Sequence, residues 1–187
     1  MNITQLHRIL ESHDISIDEW GKGKAKSLEN LLHEINSGES ILASVEGKIY
    51  RAAIGSVVRV YRLYNGGLCV LTEGKQVFAD GTVHRRDLPF SVGEKVFPGE
   101  SSLEAAQRAF KEELGIDEKI EFNRHSEYVQ GPVPSTSYPG ILTTYFVDVW
   151  SVFMPSHLFR KEGYVEVQPD KTSYFFWIPY KNKKIVK

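Results

Sequence analysis

The sequence predicts an α/β fold of the α+β kind, in which one short helix packs on a largely antiparallel sheet. From Ile41 onward, strand-like runs alternate with tight-turn residues, a pattern typical of consecutive hairpins. A helix is predicted between Ser101 and Gly115, and the N-terminal residues also have helical periodicity. We therefore expect an N-terminal helical extension over 1–40 and a sheet-forming domain over 41–187.

Turn signals define the predicted strands. Glu46-Gly47, Asn65-Gly66 and Asp80-Gly81 each end in glycine, which tight hairpin turns favour. These turns punctuate five strand-like runs, at 41–45, 48–54, 56–64, 68–73 and 82–86. Further strands are predicted at 120–128, 141–150, 164–167 and 173–178.

Basic residues decorate this region at spacings that leave many of them on an exposed face: Arg59, Arg62, Lys75, Arg85 and Arg86. Most would only make the surface soluble, but one or two could bind the phosphates of a ligand. The sequence does not decide which of the five would do so.

The helix is predicted from its ends. Ser101 and Glu104 form a capping box, which satisfies two amide donors at a helix start, and Gly115 is a typical helix end. One stripe of the helix is apolar and should face the core: Leu103, Ala106, Phe110 and Leu114. The opposite or flanking side is expected to carry small residues and acids: Ala105, Ala109, Glu112 and Glu113.

Two adjacent carboxylates, Glu112 and Glu113, invite two interpretations. Arg108 lies one turn before Glu112, and such a group on a small-residue surface suits a hard cation. The alternative is a solvated helix face, in which Arg108 and Glu112 form an ordinary i,i+4 ion pair.

A longer pattern surrounds this helix. Seven residues separate Glu100 from Arg108, which is followed by A-F-K-E-E-L-G-I. The segment 93–116 resembles the Nudix box, G-x5-E-x7-R-E-U-x-E-E-x-G-U, in which U is a bulky aliphatic residue. Its glutamate, arginine, double glutamate, glycine and final aliphatic positions match in register.

The resemblance is to a degenerate Nudix box. The opening glycine position holds Glu94, although Gly93 stands directly before it. Ala109 occupies the position of the glutamate that follows the arginine, which in the family is usually a metal ligand or a candidate base.

The resemblance implies the α/β/α sandwich of the Nudix family, with a mixed sheet. It also implies metal-dependent hydrolysis of a nucleoside-diphosphate-linked or other diphosphate small molecule by water, with Mg²⁺ or Mn²⁺ as cofactor. In this reading, Glu112 and Glu113 bind the metal and the Gly93 carbonyl is a further ligand. Arg108 holds the carboxylates in place, and Glu100 is either structural or supports the metal ligands from behind.

Two matters stay open. The additional base or metal ligand has three acidic candidates, Glu127, Glu162 and Glu166. Because Ala109 removes a carboxylate, the alternative function is a Nudix-fold module with little or no activity, which binds a nucleotide, a diphosphate or a protein partner.

The composition excludes several other classes of function. The net charge of −1 and the scattered basic residues speak against a nucleic-acid interface. The single cysteine, Cys69, excludes an intramolecular disulfide and makes a zinc-cysteine site implausible. No apolar run is long enough to span a bilayer, so we expect a cytoplasmic protein without a membrane partner.

An uncharged stretch, 131–140, is predicted to be a binding loop.

Overall fold

The computed structural model describes residues 1–86, 88 and 90–180. Its three helices are α1 (Ile3–Glu11), α2 (Leu28–Asn36) and α3 (Ser102–Leu114). The strands are β1 (Ile41–Val45), β2 (Lys48–Tyr64), β3 (Gly67–Phe78), β4 (Val83–Arg85), β5 (Val92–Lys95), β6 (Asn123–Pro134), β7 (Leu142–Phe153), β8 (Tyr164–Val167) and β9 (Lys171–Pro179). The predicted mix of helices and sheet is confirmed, as are helices in the N-terminal segment. No helix among the described residues has the length and apolar character that crossing a membrane requires.

The chain divides into two compact units, and four strands, β2, β5, β6 and β7, contribute residues to both. The first unit contains 1–55, 95–101 and 127–147, and the second contains 56–94, 102–126 and 148–187.

The first unit is built on α1, α2 and the β1–β2 hairpin. Asn2 and Ser27 cap the two helices through capping boxes, and each helix buries leucines in a common core. The β1–β2 turn at Glu46-Gly47 has positive φ at both residues, 49° and 75°, which explains the glycine. This turn was predicted from the sequence.

The uncharged stretch of this unit is not the long loop that the sequence predicted. Strand β6 extends to Pro134, which shortens the connection. Tyr138 is fully buried in the core, and the Nε1–H of Trp20 donates to the Pro139 carbonyl at 3.1 Å. Because its aromatic residue packs inward, this stretch forms part of the fold of the first unit.

The second unit contains an antiparallel sheet with the strand order β2-β3-β9-β8, and β4 pairs with β3. The turn between β2 and β3 is Asn65-Gly66, with φ of 51° and 77°, as a two-residue hairpin requires. The strand runs predicted at 48–54 and 56–64 form one continuous strand, β2.

Helix α3 packs on this sheet. Phe110 and Leu114 join a buried cluster with Tyr164 of β8 and Phe175 of β9. The helix ends as predicted, because Gly115 has φ of 66° and its N–H donates to the Lys111 carbonyl at 3.0 Å.

Helix α3 is buried over more than its predicted apolar stripe. Ala105 and Ala109 are both 0% exposed, and Ala109 belongs to the core cluster of the second unit. The reason is that α3 is covered over a wider arc than one apolar stripe, since Gly93 of β5 bonds to Glu113 on the flanking side. Small residues allow this close approach.

Candidate functional site

A cavity of about 120 Å³ lies within the second unit, and we call it the Glu113 cavity. Its charged lining residues are Glu73, Arg86, Glu94, Glu113, Glu166 and Lys171. They come from strands, from the segment before β5 and from α3, so distant parts of the sequence converge there.

The register of the sheet explains how polar groups reach this cavity. Tyr164 of β8 pairs with Phe175 of β9, and both side chains are buried in the core. Two residues along each strand, Glu166 pairs with Ser173, which in turn pairs with Gln76 of β3. Since alternate residues share a face, the surface that packs on α3 continues directly into this polar row.

Glu113 is the helix residue that faces the cavity. Its Oε1 accepts the backbone N–H of Gly93 at 2.9 Å, which joins the last turn of α3 to β5. A Cβ on Gly93 would lie only 2.8 Å from Val57 Cγ1 and 3.2 Å from the Ser56 carbonyl oxygen. Glycine is therefore needed for this close approach between strands.

The electrostatic environment makes Glu113 hold a proton strongly. Burial is the largest cause, and it raises the pKa of Glu113 to about 9 although the Gly93 N–H acts in the opposite direction. The nearby carboxylates of Glu166, Glu94 and Glu73 raise the pKa further. Without a bound cation, Glu113 is neutral at pH 7.

Arg108 lies between two acidic residues. Its Nη1 is 3.5 Å from Oε2 of Glu112 and 3.8 Å from Oε2 of Glu94. Glu94 lines the Glu113 cavity, whereas Glu112 does not, and the Glu112 side chain is 50% exposed. The structure thus brings Gly93 and Glu113 together at the cavity and leaves Glu112 beside Arg108 on the helix surface.

Glu100 accepts the Phe97 N–H at 2.9 Å, and its own N–H donates to the Phe97 carbonyl at 3.0 Å. It closes the turn that precedes α3 in the chain, which is a structural role. Of the three acidic candidates, Glu166 lines the cavity. Glu162 lies before β8 and pairs with Lys161 at 3.7 Å, and Glu127 belongs to β6 in the first unit.

The sequence did not single out two charged residues of the cavity, Glu73 and Lys171. Arg86 was one of five basic residues among which the sequence could not choose a phosphate ligand. Glu73 Oε2 is 3.1 Å from Arg86 Nη1, and Glu73 Oε1 accepts from Gln76 Nε2 at 2.7 Å. A signal for Glu73 exists, because it follows the core residue Leu71 by two positions on one strand face.

The donors at this cavity fit Mg²⁺ or Mn²⁺. Magnesium is held by hard oxygen ligands, commonly one or two carboxylates completed by waters and substrate phosphates. A divalent cation would also offset the burial and the neighbouring carboxylates that together raise the pKa of Glu113. Among the described residues, no group of three or more His, Cys, Asp or Glu side chains is arranged to hold an ion.

Several solved structures resemble the chain. One is a C. elegans Ap4A hydrolase in a binary complex, with 15% identity, TM-score 0.41, and coverage of 67% of this chain and 79% of that one. Another is the E. coli dihydroneopterin triphosphate pyrophosphohydrolase, with 17% identity, TM-score 0.42, and coverage of 67% and 80%. A MutT/nudix family protein from Enterococcus faecalis has 15% identity, TM-score 0.44, and coverage of 82% and 51%.

No curated protein matches the sequence. The family model described as NUDIX domain matches residues 54–182, which is well over half of the 187 residues. That match contains the degenerate box, β5, α3 and every charged residue of the Glu113 cavity. The chain therefore belongs to the NUDIX domain family.

Proposed function

We propose that this protein hydrolyses a diphosphate linkage in a small molecule, with Mg²⁺ or Mn²⁺ bound at the Glu113 cavity. One observation carries the proposal: the box carboxylate of Glu113 is turned into a cavity, anchored by Gly93 and surrounded by three other carboxylates. Nucleoside-diphosphate-linked compounds are the substrate class that the family resemblance favours.

Each residue has a proposed part. Glu113 would hold the metal together with the predicted ligand Gly93, which lines the same cavity, whereas the predicted ligand Glu112 lies outside it beside Arg108. The metal, when bound, would polarise phosphate oxygens and neutralise the charge that develops on them. The Gly93 N–H orients the Glu113 carboxylate, and Arg108 holds Glu94 at the cavity wall.

Glu166 is proposed to accept the proton of the attacking water. It lines the same cavity, and its Oε1 accepts a hydrogen bond from Gln168, which fixes the carboxylate. A positioned general base typically contributes about 10²- to 10⁴-fold to a rate. Its place in the cavity supports Glu166 over the other two acidic candidates.

One observation favours the alternative of a binding module with little or no activity. Ala109 removes the box glutamate, and its position is 0% exposed in the core cluster. A diphosphate ligand would then occupy the cavity without turnover.

The test is a hydrolysis screen over nucleotide sugars, dinucleotides, nucleoside triphosphates and prenyl diphosphates, with Mg²⁺ and Mn²⁺ in turn. Wild type should release phosphate or a monophosphate from at least one class, and Glu113→Gln should lose that activity. Glu118→Gln is the matched control, because Glu118 is more than half exposed and contacts His157 instead. Binding without any hydrolysis across the screen would favour the binding module.

A further inference from the structure

The Glu113 cavity is lined by two cations as well as by acids, and the first of them is held in place. Arg86 contacts the buried carboxylate of Glu73 through Nη1, and its backbone N–H donates to the Gly74 carbonyl at 3.1 Å. Gln76 occupies the other oxygen of Glu73. Because a guanidinium has five N–H donors, the contact with Glu73 leaves several of them for a ligand.

The second cation, Lys171, has no acidic partner of its own. In the described parts of the chain, no carboxylate forms an ion pair with its ammonium. Its backbone is fixed, since the Lys171 carbonyl accepts the Gln168 N–H at 2.8 Å at the start of β9. An ammonium that makes no direct ion pair with a described carboxylate, on a rigid strand end inside a cavity, is suited to an anionic group.

The size of the cavity limits what that group can be. Pockets that enclose a whole drug-sized ligand measure about 300–1,000 Å³, so a cavity of about 120 Å³ is too small to enclose a whole nucleotide. Its size suits a phosphoryl group. The organic part of a substrate must therefore lie outside.

We propose that Arg86 and Lys171 form a subsite for the terminal phosphoryl group of the ligand, which assigns it to compounds with a free phosphate end. Arg86 supplies a preorganised fork of donors, and Lys171 supplies an ammonium that forms no ion pair with a carboxylate of the described residues. Diphosphates that carry an organic group at both ends would lack the part that this subsite binds. The inference rests on the proposed function, because it concerns the same cavity, and it favours ligands with a free phosphate end over nucleoside-diphosphate-linked compounds that are capped at both ends.

Calorimetric titration tests the subsite with three probes in the presence of Mg²⁺: pyrophosphate, ADP, and ADP-glucose, whose diphosphate is capped at both ends. Wild type should bind the first two at least about tenfold more tightly than ADP-glucose, since a charged hydrogen bond is worth about that factor. Lys171→Met should lose this preference. Lys161→Met, which removes an ammonium from the exposed turn before β8, should keep it.

Arg86→Met leaves Glu73 buried without its cation, so Arg86→Lys is the variant of choice at that position. Arg86→Lys should weaken pyrophosphate binding while the thermal transition stays sharp.

The subsite is overturned if Lys171→Met binds pyrophosphate as wild type does, or if all three probes bind wild type equally or not at all. If wild type prefers free phosphate ends but hydrolyses nothing, the subsite is supported and the proposed function is rejected. If hydrolysis occurs and Lys171→Met does not change it, the proposed function is supported and the subsite is rejected.

Discussion

The Glu113 carboxylate and the Gly93 amide form a 2.9 Å hydrogen bond that joins residues twenty positions apart. It ties the end of α3 to β5 at the place where the box helix faces the cavity. The same glycine packs closely on Ser56 and Val57 of β2, so the strand that anchors Glu113 is itself held by the sheet.

Gly93→Ala should destabilise the protein by about 1–3 kcal/mol, the usual cost of overpacking. The added methyl would meet Val57 Cγ1 at 2.8 Å and the Ser56 carbonyl at 3.2 Å. Urea denaturation measures the effect. Gly67→Ala is the matched control, because it lies in a strand with no atom within 4 Å of the new methyl. Equal stability of the two variants would contradict the close approach.

The metal-free protein should lose stability as pH rises from about 5 towards 9. Burial, reinforced by neighbouring acids, raises the pKa of Glu113 to about 9, whereas the unfolded chain has the ordinary value. Between these pH values the folded state holds one more proton, so this group alone lowers the free energy of unfolding by up to about 1.4 kcal/mol per pH unit. Glu113→Gln should flatten that slope and be the more stable protein at pH 8. An unchanged slope would exclude Glu113 as its source.

Glu113→Gln should weaken Mg²⁺ and Mn²⁺ binding by at least about tenfold in a metal titration, because a ligand is lost. Glu112→Gln should have a smaller effect, since the Glu112 side chain is half exposed and lies 3.5 Å from Arg108. Identical metal affinities of wild type and Glu113→Gln would remove Glu113 from the metal site. A larger loss for Glu112→Gln would move the site to the helix surface.

Ala109→Glu would restore the carboxylate of the family pattern at a position that is completely buried. We expect a loss of a few kcal/mol without metal, because a buried unpaired carboxyl is costly, and a recovery of the melting temperature with Mg²⁺. The rise in melting temperature on adding Mg²⁺ should be larger for Ala109→Glu than for wild type. Ala109→Gln is the control of equal size, and metal should not rescue it. Equal rescue of both variants would show that the new carboxylate does not reach the ion.

Glu34→Gln should destabilise the first unit by about 3–5 kcal/mol, the typical cost of breaking a buried ion pair. The carboxylate of Glu34 lies 2.6 Å from Arg51 and 2.9 Å from Lys26, and it also contacts Lys95. Although burial opposes ionisation, these cations hold the pKa of Glu34 far below its usual range. Its contribution is therefore present above about pH 4.5 and is lost as pH falls.

Chemical denaturation at pH 7 and pH 3 measures this contribution, and the difference between wild type and Glu34→Gln should be larger at pH 7. Glu19→Gln is the control, because Glu19 is exposed and its contact with Lys22 is 3.5 Å long. A Glu34→Gln protein as stable as Glu19→Gln at pH 7 would contradict the prediction.

The sequence by itself determined the elements whose signals are local. Asn65-Gly66 specified a hairpin because glycine accepts the positive φ of that turn, and Gly115 ended α3 for the same reason. The register of the box also singled out Gly93 and Glu113, which both line the Glu113 cavity. The turn and the helix end depend on residues a few positions apart, and the box is one continuous segment, 93–116.

Tertiary structure alone decided which side chains meet. Glu73, Glu166 and Lys171 reach one cavity because β3, β8 and β9 are neighbours in the sheet, and no short-range pattern encodes that pairing. The burial of Ala109 and the protonation of Glu113 were likewise decided by coverage of α3, since desolvation and the field of distant carboxylates depend on packing over the whole unit.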